Sequence, residues 1–228
     1  IVRTCKKLGY QGYYHLKIAL AKEVINPDNS YPDNTDFTDI TSLATFLLKK
    51  QAEDLIQSTQ FFNAEVLESI LKLLANCDTI FFFAAGNSNP LAVYGAYKFS
   101  QLGLKTVVHV SPEMQINAAY SMGKRDLAIG ISNSGSTNLM VDIFKVVKER
   151  GAKSVCITNY IKSPLSKLST HQLNTAVSDK IFFEAFDSTR VPAMGVIDML
   201  VLLFMYKNKA HYEKYRTREE FLGSRFKG

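Results

Sequence analysis

The chain has 228 residues, a hydrophobic share of 46% and a formal net charge of +6. That length holds one large domain, or a medium domain with an appendage, and the apolar content is enough for a core without disulfides. Its three cysteines, Cys5, Cys77 and Cys156, are far apart, form no CxxC pair and have no neighbouring histidine, which argues against a disulfide framework or a zinc site and fits a reducing cytoplasm.

The charge sits at the two ends. Residues 1–25 carry five basic side chains against one acidic, residues 206–228 carry seven against three, and the stretch between is slightly acidic. Basic ends suit nucleic acid or a solvated surface equally well. No signal-peptide pattern is visible, and the absence of a starting methionine suggests that the natural start lies upstream of Ile1. The longest apolar run, residues 194–206, is too short to span a bilayer and contains Asp198. A cytoplasmic protein without a membrane partner is therefore expected.

Residues 1–24 read as two short helices. The first, 1–7, stops near Gly9, and Arg3, Lys6 and Lys7 at i, i+3 and i+4 give it a face with three cations. The second, 13–24, has Leu16, Ile18, Ala19, Leu20 and Val24 on its apolar side. Residues 26–36, with two prolines and many turn formers, read as a linker. A long helix over 40–56 follows, with Ile40, Leu43, Ala44, Leu47, Leu48, Ala52, Leu55 and Ile56 at helical spacing, and Asn63 is placed to cap another over 64–75.

A repeated rhythm of apolar strands and helices then begins. Strands are expected at 79–84, 105–110, 127–131, 154–158 and, more weakly, 173–177. Pro90 suits a helix start, Gly103 and Gly151 suit helix stops, and a long apolar helix over 191–209 closes the unit. Strands without alternation, separated by helices, predict a parallel sheet covered on both faces. The fold class expected is α/β, a three-layer α/β/α sandwich of the doubly wound kind. The phenylalanines at 61–62, 81–83 and 182–183 are most simply packing residues.

The chemistry is concentrated after the third expected strand. There the turn Ser132-Asn133-Ser134-Gly135-Ser136-Thr137 precedes an amphipathic run carrying Leu139, Met140, Ile143, Val146 and Val147. A strand, a tight turn and a helix start leave free N–H groups and the positive end of a helix dipole, which favour an anion. Four hydroxyls and no acidic residue surround that spot, so a phosphate is expected there without a metal, a cofactor or a P-loop lysine. A second hydroxyl turn, Gly86-Asn87-Ser88, follows the first strand. The plainer alternative is that these serines only cap helices and fill turns.

These two turns, in this order on such a sheet, resemble the sugar isomerase (SIS) domain over roughly residues 67–206. The resemblance implies phosphosugar recognition, with Ser88, Ser132, Ser134 and Thr137 holding the phosphate, and backbone N–H groups from Gly135 through Ser136 to Thr137 completing the cradle. Ala84 departs from the pattern, which has glycine there, and is expected to alter the first turn. Residues 1–13 and the HLKIALAKE that follows resemble the end of the helix-turn-helix domain of RpiR-type regulators. That implies DNA contacts by Arg3, Lys6 and Lys7, as the tail of a recognition helix whose start is missing, so that this stretch alone binds DNA poorly.

Residues 183–190 also resemble the stretch that RpiR-type regulators carry before the last long helix. Glu184 becomes a candidate for contacting sugar hydroxyls, or for a base in an isomerase, against the plainer role of pairing with Lys180 or Arg190. His109 is the only other candidate base; His15, His171 and His211 read as surface residues. The organisation expected is thus a helix-turn-helix remnant over 1–25, a linker over 26–36 and a SIS-like domain over 37–228. The function expected is a non-enzymatic transcriptional regulator, a homodimer or homotetramer, whose partners are a sugar phosphate effector and DNA; a phosphosugar isomerase is the alternative.

Overall fold

The computed structural model describes residues 39–176 and 190–226. The helices expected over 1–24, the linker over 26–36, and the site candidates Arg3, Lys6, Lys7 and Glu184 lie outside the described residues. The chain divides into two compact units, one ending at Ala44 and one running from Thr45.

The elements follow in order α1 (Ile40–Ser58), α2 (Ala64–Asn76), β1 (Ile80–Ala84), α3 (Asn89–Gln101), β2 (Thr106–Val108), α4 (Pro112–Ser121), β3 (Leu127–Ile131), α5 (Asn138–Glu149), β4 (Lys153–Thr158), α6 (Pro164–Leu168), β5 (His171–Asn174), α7 (Arg190–Lys207) and α8 (Lys209–Phe226). Asp39 opens α1 by accepting from the N–H groups of Thr41 and Ser42 at 2.7 and 2.9 Å. Asn63 caps α2 as expected, accepting from Val66 N–H at 3.1 Å. Gly103 and Gly151 take φ of 75° and 76° just past the ends of α3 and α5, a conformation that only glycine adopts freely.

The five strands form one sheet in the order β2-β1-β3-β4-β5, all parallel. From β1 the chain moves one way to β2, and from β3 it moves the other way to β4 and β5. The reversal makes a switch point between the carboxyl ends of β1 and β3, where doubly wound sheets bind ligands. Phe81, Phe82 and Phe83 alternate across the sheet, as the two-residue strand period requires. Phe82 joins Ile70, Leu74, Phe99, Val196 and Leu200 in the layer under α2, α3 and α7. Phe81 and Phe83 join Ala119, Ile143, Phe144 and Leu165 in the layer under α4, α5 and α6. The three-layer sandwich is therefore as read from the sequence.

Three local readings are corrected. The second strand is three residues rather than six, because only Thr106–Val108 pairs with β1. The last long helix ends at Lys207, and a second, charged helix, α8, follows at a bend of 109°. His171 and His211 are half-buried rather than surface groups. Burial lowers the pKa of His171, with Lys153 adding to it, and His211 Nδ1 lies 2.7 Å from the Leu102 carbonyl, docking α8 onto the end of α3.

Asp198, the acid inside the apolar α7, is matched by its neighbours. It accepts from the Tyr94 hydroxyl at 2.7 Å and lies 3.5 Å from Lys98. That hydrogen bond, then burial, pushes the Tyr94 phenol up to about 12. Burial likewise raises the free thiols Cys77 and Cys156 to about 11, so neither is a reactive thiolate at neutral pH. Among the described residues no single helix is long and apolar enough to cross a membrane, and no cluster of three metal-ligating side chains occurs.

Candidate functional site

Both hydroxyl turns lie at the switch point. After β1 the backbone stays extended through Ala85, and Gly86 then turns with φ of 55° into a single 3-10 turn, Gly86–Ser88. Ala84 is the fully buried last residue of β1, and the left-handed conformation of the turn falls on Gly86. Pro90 sits in the first turn of α3, where a missing N–H is harmless. Ser88 precedes that helix, yet its side chain makes no capping hydrogen bond.

The second turn is held more firmly. Ser132 N–H donates to the Ile157 carbonyl at 3.0 Å, and Leu165 N–H donates to the Gly135 carbonyl at 2.9 Å. The Thr158 hydroxyl and Asn159 N–H both donate to the Asn133 carbonyl at 3.0 Å. Gly135, at φ of 58°, reverses the chain into α5. A side chain there would strike Ser163 and Thr158, so this position demands glycine for space as well as for conformation.

The hydroxyls fall into two groups. The Ser132 hydroxyl is buried and accepts from Gly135 N–H at 3.2 Å, so it shapes the turn. Ser134 and Ser136 bond each other: the Ser134 hydroxyl accepts from Ser136 N–H at 3.3 Å, and the Ser136 hydroxyl donates to the Ser134 carbonyl at 3.1 Å. Thr137 occupies the N-cap position of α5, with the extended backbone a cap requires, but its hydroxyl caps nothing. Thr137 is thus placed as a cap and does not act as one, while Ser88, with a helical backbone, carries the 3-10 turn into α3 and makes no cap bond either. Turn-forming accounts for the Ser132 hydroxyl and not for these two.

A small cleft of about 10 Å³, room for roughly one water, lies at the carboxyl ends of β1, β3 and β4. Ser88, Asn133, Thr158 and Thr175 give it polar atoms, and Leu91, Ile131, Ile157 and Ala193 wall it. Ser88 and the turn after β3 meet in this cleft through Asn133, while Ser134, Ser136 and Thr137 lie at the adjoining start of α5. No described residue lining the cleft is charged. An anion there would be met by neutral donors and by helix dipoles, each typically worth a fraction of a kcal/mol to about 2 kcal/mol. Neither His109 nor any other titratable side chain among the described residues lines the cleft.

Three residues of the cleft were not singled out from the sequence. Thr158 ends β4 and Thr175 directly follows β5, so the strand-end rule was the available signal. Asn133 stood inside the quoted turn, but its burial was not legible. Its Oδ1 is buried without a hydrogen-bond partner among the described residues.

Comparison with known proteins agrees with this geometry. Residues 73–203 match the SIS domain family, a span that includes both turns. An uncharacterised HTH-type transcriptional regulator of Caldanaerobacter subterraneus subsp. tengcongensis is 30% identical over 220 residues, covering 94% of this chain and 77% of the relative. Two solved structures share the fold. The NanR protein of Vibrio vulnificus, solved in complex with ManNAc-6P, is 22% identical with a TM-score of 0.78, covering 97% of this chain and 79% of that one. The sugar isomerase domain of an RpiR transcription factor from Sphaerobacter thermophilus is 19% identical with a TM-score of 0.70, covering 78% of this chain and 98% of that one. With this sheet order, these turns and this relative, the chain belongs to the SIS-domain family, among the HTH-type transcriptional regulators that carry such a domain.

Proposed function

We propose that this chain is the effector-binding part of a transcriptional regulator, and that a sugar phosphate bound over the two hydroxyl turns modulates DNA binding by the intact protein. The observation that carries the reading is the pair of hydroxyls, Ser88 and Thr137, that make no cap hydrogen bond among the described residues, beside a cleft lined by no described charge. Hydroxyls and N–H groups at two helix starts suit a phosphate. That NanR was solved with a phosphosugar supports the same chemistry. Glu184 remains proposed as a contact to sugar hydroxyls. A thermal-shift screen of sugar phosphates tests the reading. A ligand at one hundred times its Kd stabilises the folded state by about 2.7 kcal/mol. Inorganic phosphate alone is expected to give a smaller shift, and a flat response to every sugar phosphate counts against the proposal.

Regulation requires that the effector bind two states of the protein unequally. The DNA-facing part is assigned to Arg3, Lys6 and Lys7. The full-length protein is expected to bind a palindromic site, with affinity falling steeply with salt, because released counterions dominate phosphate contacts. Reversing Arg3 and Lys6 to glutamate is expected to weaken binding to all sequences alike in a mobility-shift titration. Retention of full affinity by that variant overturns the assignment.

The active form is proposed to be a homodimer or homotetramer. Leu48 and Ile56 of α1 are each 68% exposed, and Leu202 of α7 is 61% exposed, apolar side chains that a second copy of the chain would cover. Sedimentation at micromolar concentration is expected to give an even-numbered oligomer; a pure monomer refutes this. No turnover of sugar phosphates is expected, since no base lines the described cleft. Product formation that disappears in Glu184→Gln would instead make the chain an isomerase.

A further inference from the structure

One fully buried polar side chain has no part in the site as described. Gln115, in the middle of α4, is 1% exposed. Its amide makes two good hydrogen bonds to one residue: Nε2 donates to the Ala84 carbonyl at 2.9 Å, and Oε1 accepts from Ala84 N–H at 3.2 Å. A longer contact from Nε2 reaches the Val110 carbonyl at 3.4 Å.

The sheet explains why Ala84 needs this. Along a strand, every second residue directs its N–H and C=O to the same edge. Ile80 N–H bonds the Lys105 carbonyl, so Ile80, Phe82 and Ala84 face the β2 side. β2 pairs only with Ile80–Phe82 and ends at Val108. Ala84 is the next residue facing that edge, is completely buried, and has no strand beside it on the β2 side. The amide of Gln115 takes the place of the missing strand, one donor and one acceptor against one acceptor and one donor.

Ala84 is also where the first hydroxyl turn departs. Gly86 reverses the backbone two residues later, and Ser88 N–H closes on the Ala85 carbonyl at 3.2 Å. From the β3 side, Ala84 is in register with Ile131, the residue before Ser132. The end of β1 is thus clamped between β3 and Gln115. We infer that Gln115 is a positioning residue of the cleft: by holding Ala84 on its open edge it fixes where Ser88 stands relative to the turn after β3. The inference rests on the phosphosugar reading of the two hydroxyl turns and adds to it a residue on α4 that touches no ligand.

Gln115→Met keeps the length and bulk of the side chain and removes both bonds. Gln115→Glu keeps an acceptor for Ala84 N–H and loses the donor, and it carries the test should the methionine variant fail to fold. Two measurements are made on the full chain. The first is hydrogen exchange of backbone amides without ligand. Exchange at Ala84 and residues 86–88 is expected to quicken at least tenfold in Gln115→Met, with β3 and β4 unchanged. Unchanged exchange at the turn overturns the positioning role whatever the hydroxyl turns bind.

The second is calorimetric titration with N-acetylmannosamine 6-phosphate and glucosamine 6-phosphate as probes, in a cycle with Ser88→Ala. Gln115→Met and Ser88→Ala are each expected to weaken binding about tenfold, and the double variant no more than Ser88→Ala alone. Weakening that multiplies in the double variant means that Gln115 acts on the fold in general, and overturns the inference. If neither probe binds the wild type while other sugar phosphates also fail, the phosphosugar reading falls. The exchange result then still decides whether Gln115 holds the turn.

Discussion

Gly135→Ala is expected to abolish effector binding and to lower stability markedly, the largest single-residue effect anticipated at this site. Two costs add. The φ of 58° at Gly135 places any other residue in the left-handed region, at about 1–2 kcal/mol. The new Cβ would also stand 2.5 Å from Ser163 Cβ and 2.8 Å from Thr158 Oγ1. Neither neighbour is free to yield. The Ser163 hydroxyl caps α6 by accepting from Ser166 N–H at 3.1 Å, and the Thr158 hydroxyl holds the Asn133 carbonyl at 3.0 Å. Overpacking of that kind costs about 1–3 kcal/mol. Together this is roughly 2–5 kcal/mol against a domain stability of about 5–15 kcal/mol, so the variant folds with its turn displaced. Gly86→Ala is the control, since Gly86 has a similar φ of 55° but nothing within 4 Å of its added Cβ. Denaturant unfolding paired with calorimetric titration compares the two. A Gly135→Ala protein with wild-type midpoint and affinity refutes the account of this turn.

The sheet was legible wherever burial on both faces forces an unbroken apolar run. β3 falls on the five residues expected, Leu127–Ile131, and β1 and β4 within one residue. The edges were less legible. β5, expected at 173–177, is His171–Asn174, because an edge strand tolerates His171 and Gln172, and only Leu173 marks the apolar period. α4 was not read at all. Its outward side carries Met114, Ile116 and Tyr120, and its buried side holds Gln115, Ala118 and Ala119, so the usual polarity pattern is inverted. Ser111-Pro112-Glu113 was the available signal, a helix start with proline and an early acid. α8 is polar almost throughout and offers no period.

Composition located the hydroxyl turn, but it does not say which hydroxyls are engaged. That depends on tertiary partners such as Ile157, Thr158 and Leu165, which reach the turn from β4 and α6. The cleft itself is assembled from strand ends far apart in sequence. Asn133 and Thr175 line it together, although 42 positions separate them in the sequence.

Among the hydroxyls, Thr137 and Ser134 are expected to separate recognition from capping. A lost hydrogen bond to a charged group costs about 1.5–3 kcal/mol, and about 1.4 kcal/mol is one decade in affinity. Thr137→Ala is therefore expected to weaken sugar phosphate binding roughly tenfold to a hundredfold. Because the Thr137 hydroxyl makes no cap bond in the free protein, the same change is expected to leave unliganded stability within about 0.5 kcal/mol. Ser134→Ala is expected to show the same loss of affinity, since among the described residues its hydroxyl makes only the long contact at 3.3 Å with Ser136 N–H. Ser132→Ala is expected to behave in the opposite sense. Its hydroxyl is spent on Gly135 N–H, so its removal appears first as about 0.5–1.5 kcal/mol of lost stability. Calorimetric titration beside thermal unfolding reads both columns for all three variants. Were Thr137→Ala and Ser134→Ala to bind as tightly as the wild type, the hydroxyls would be turn-formers only, and the two that make no cap bond, Ser88 and Thr137, would no longer point to a ligand.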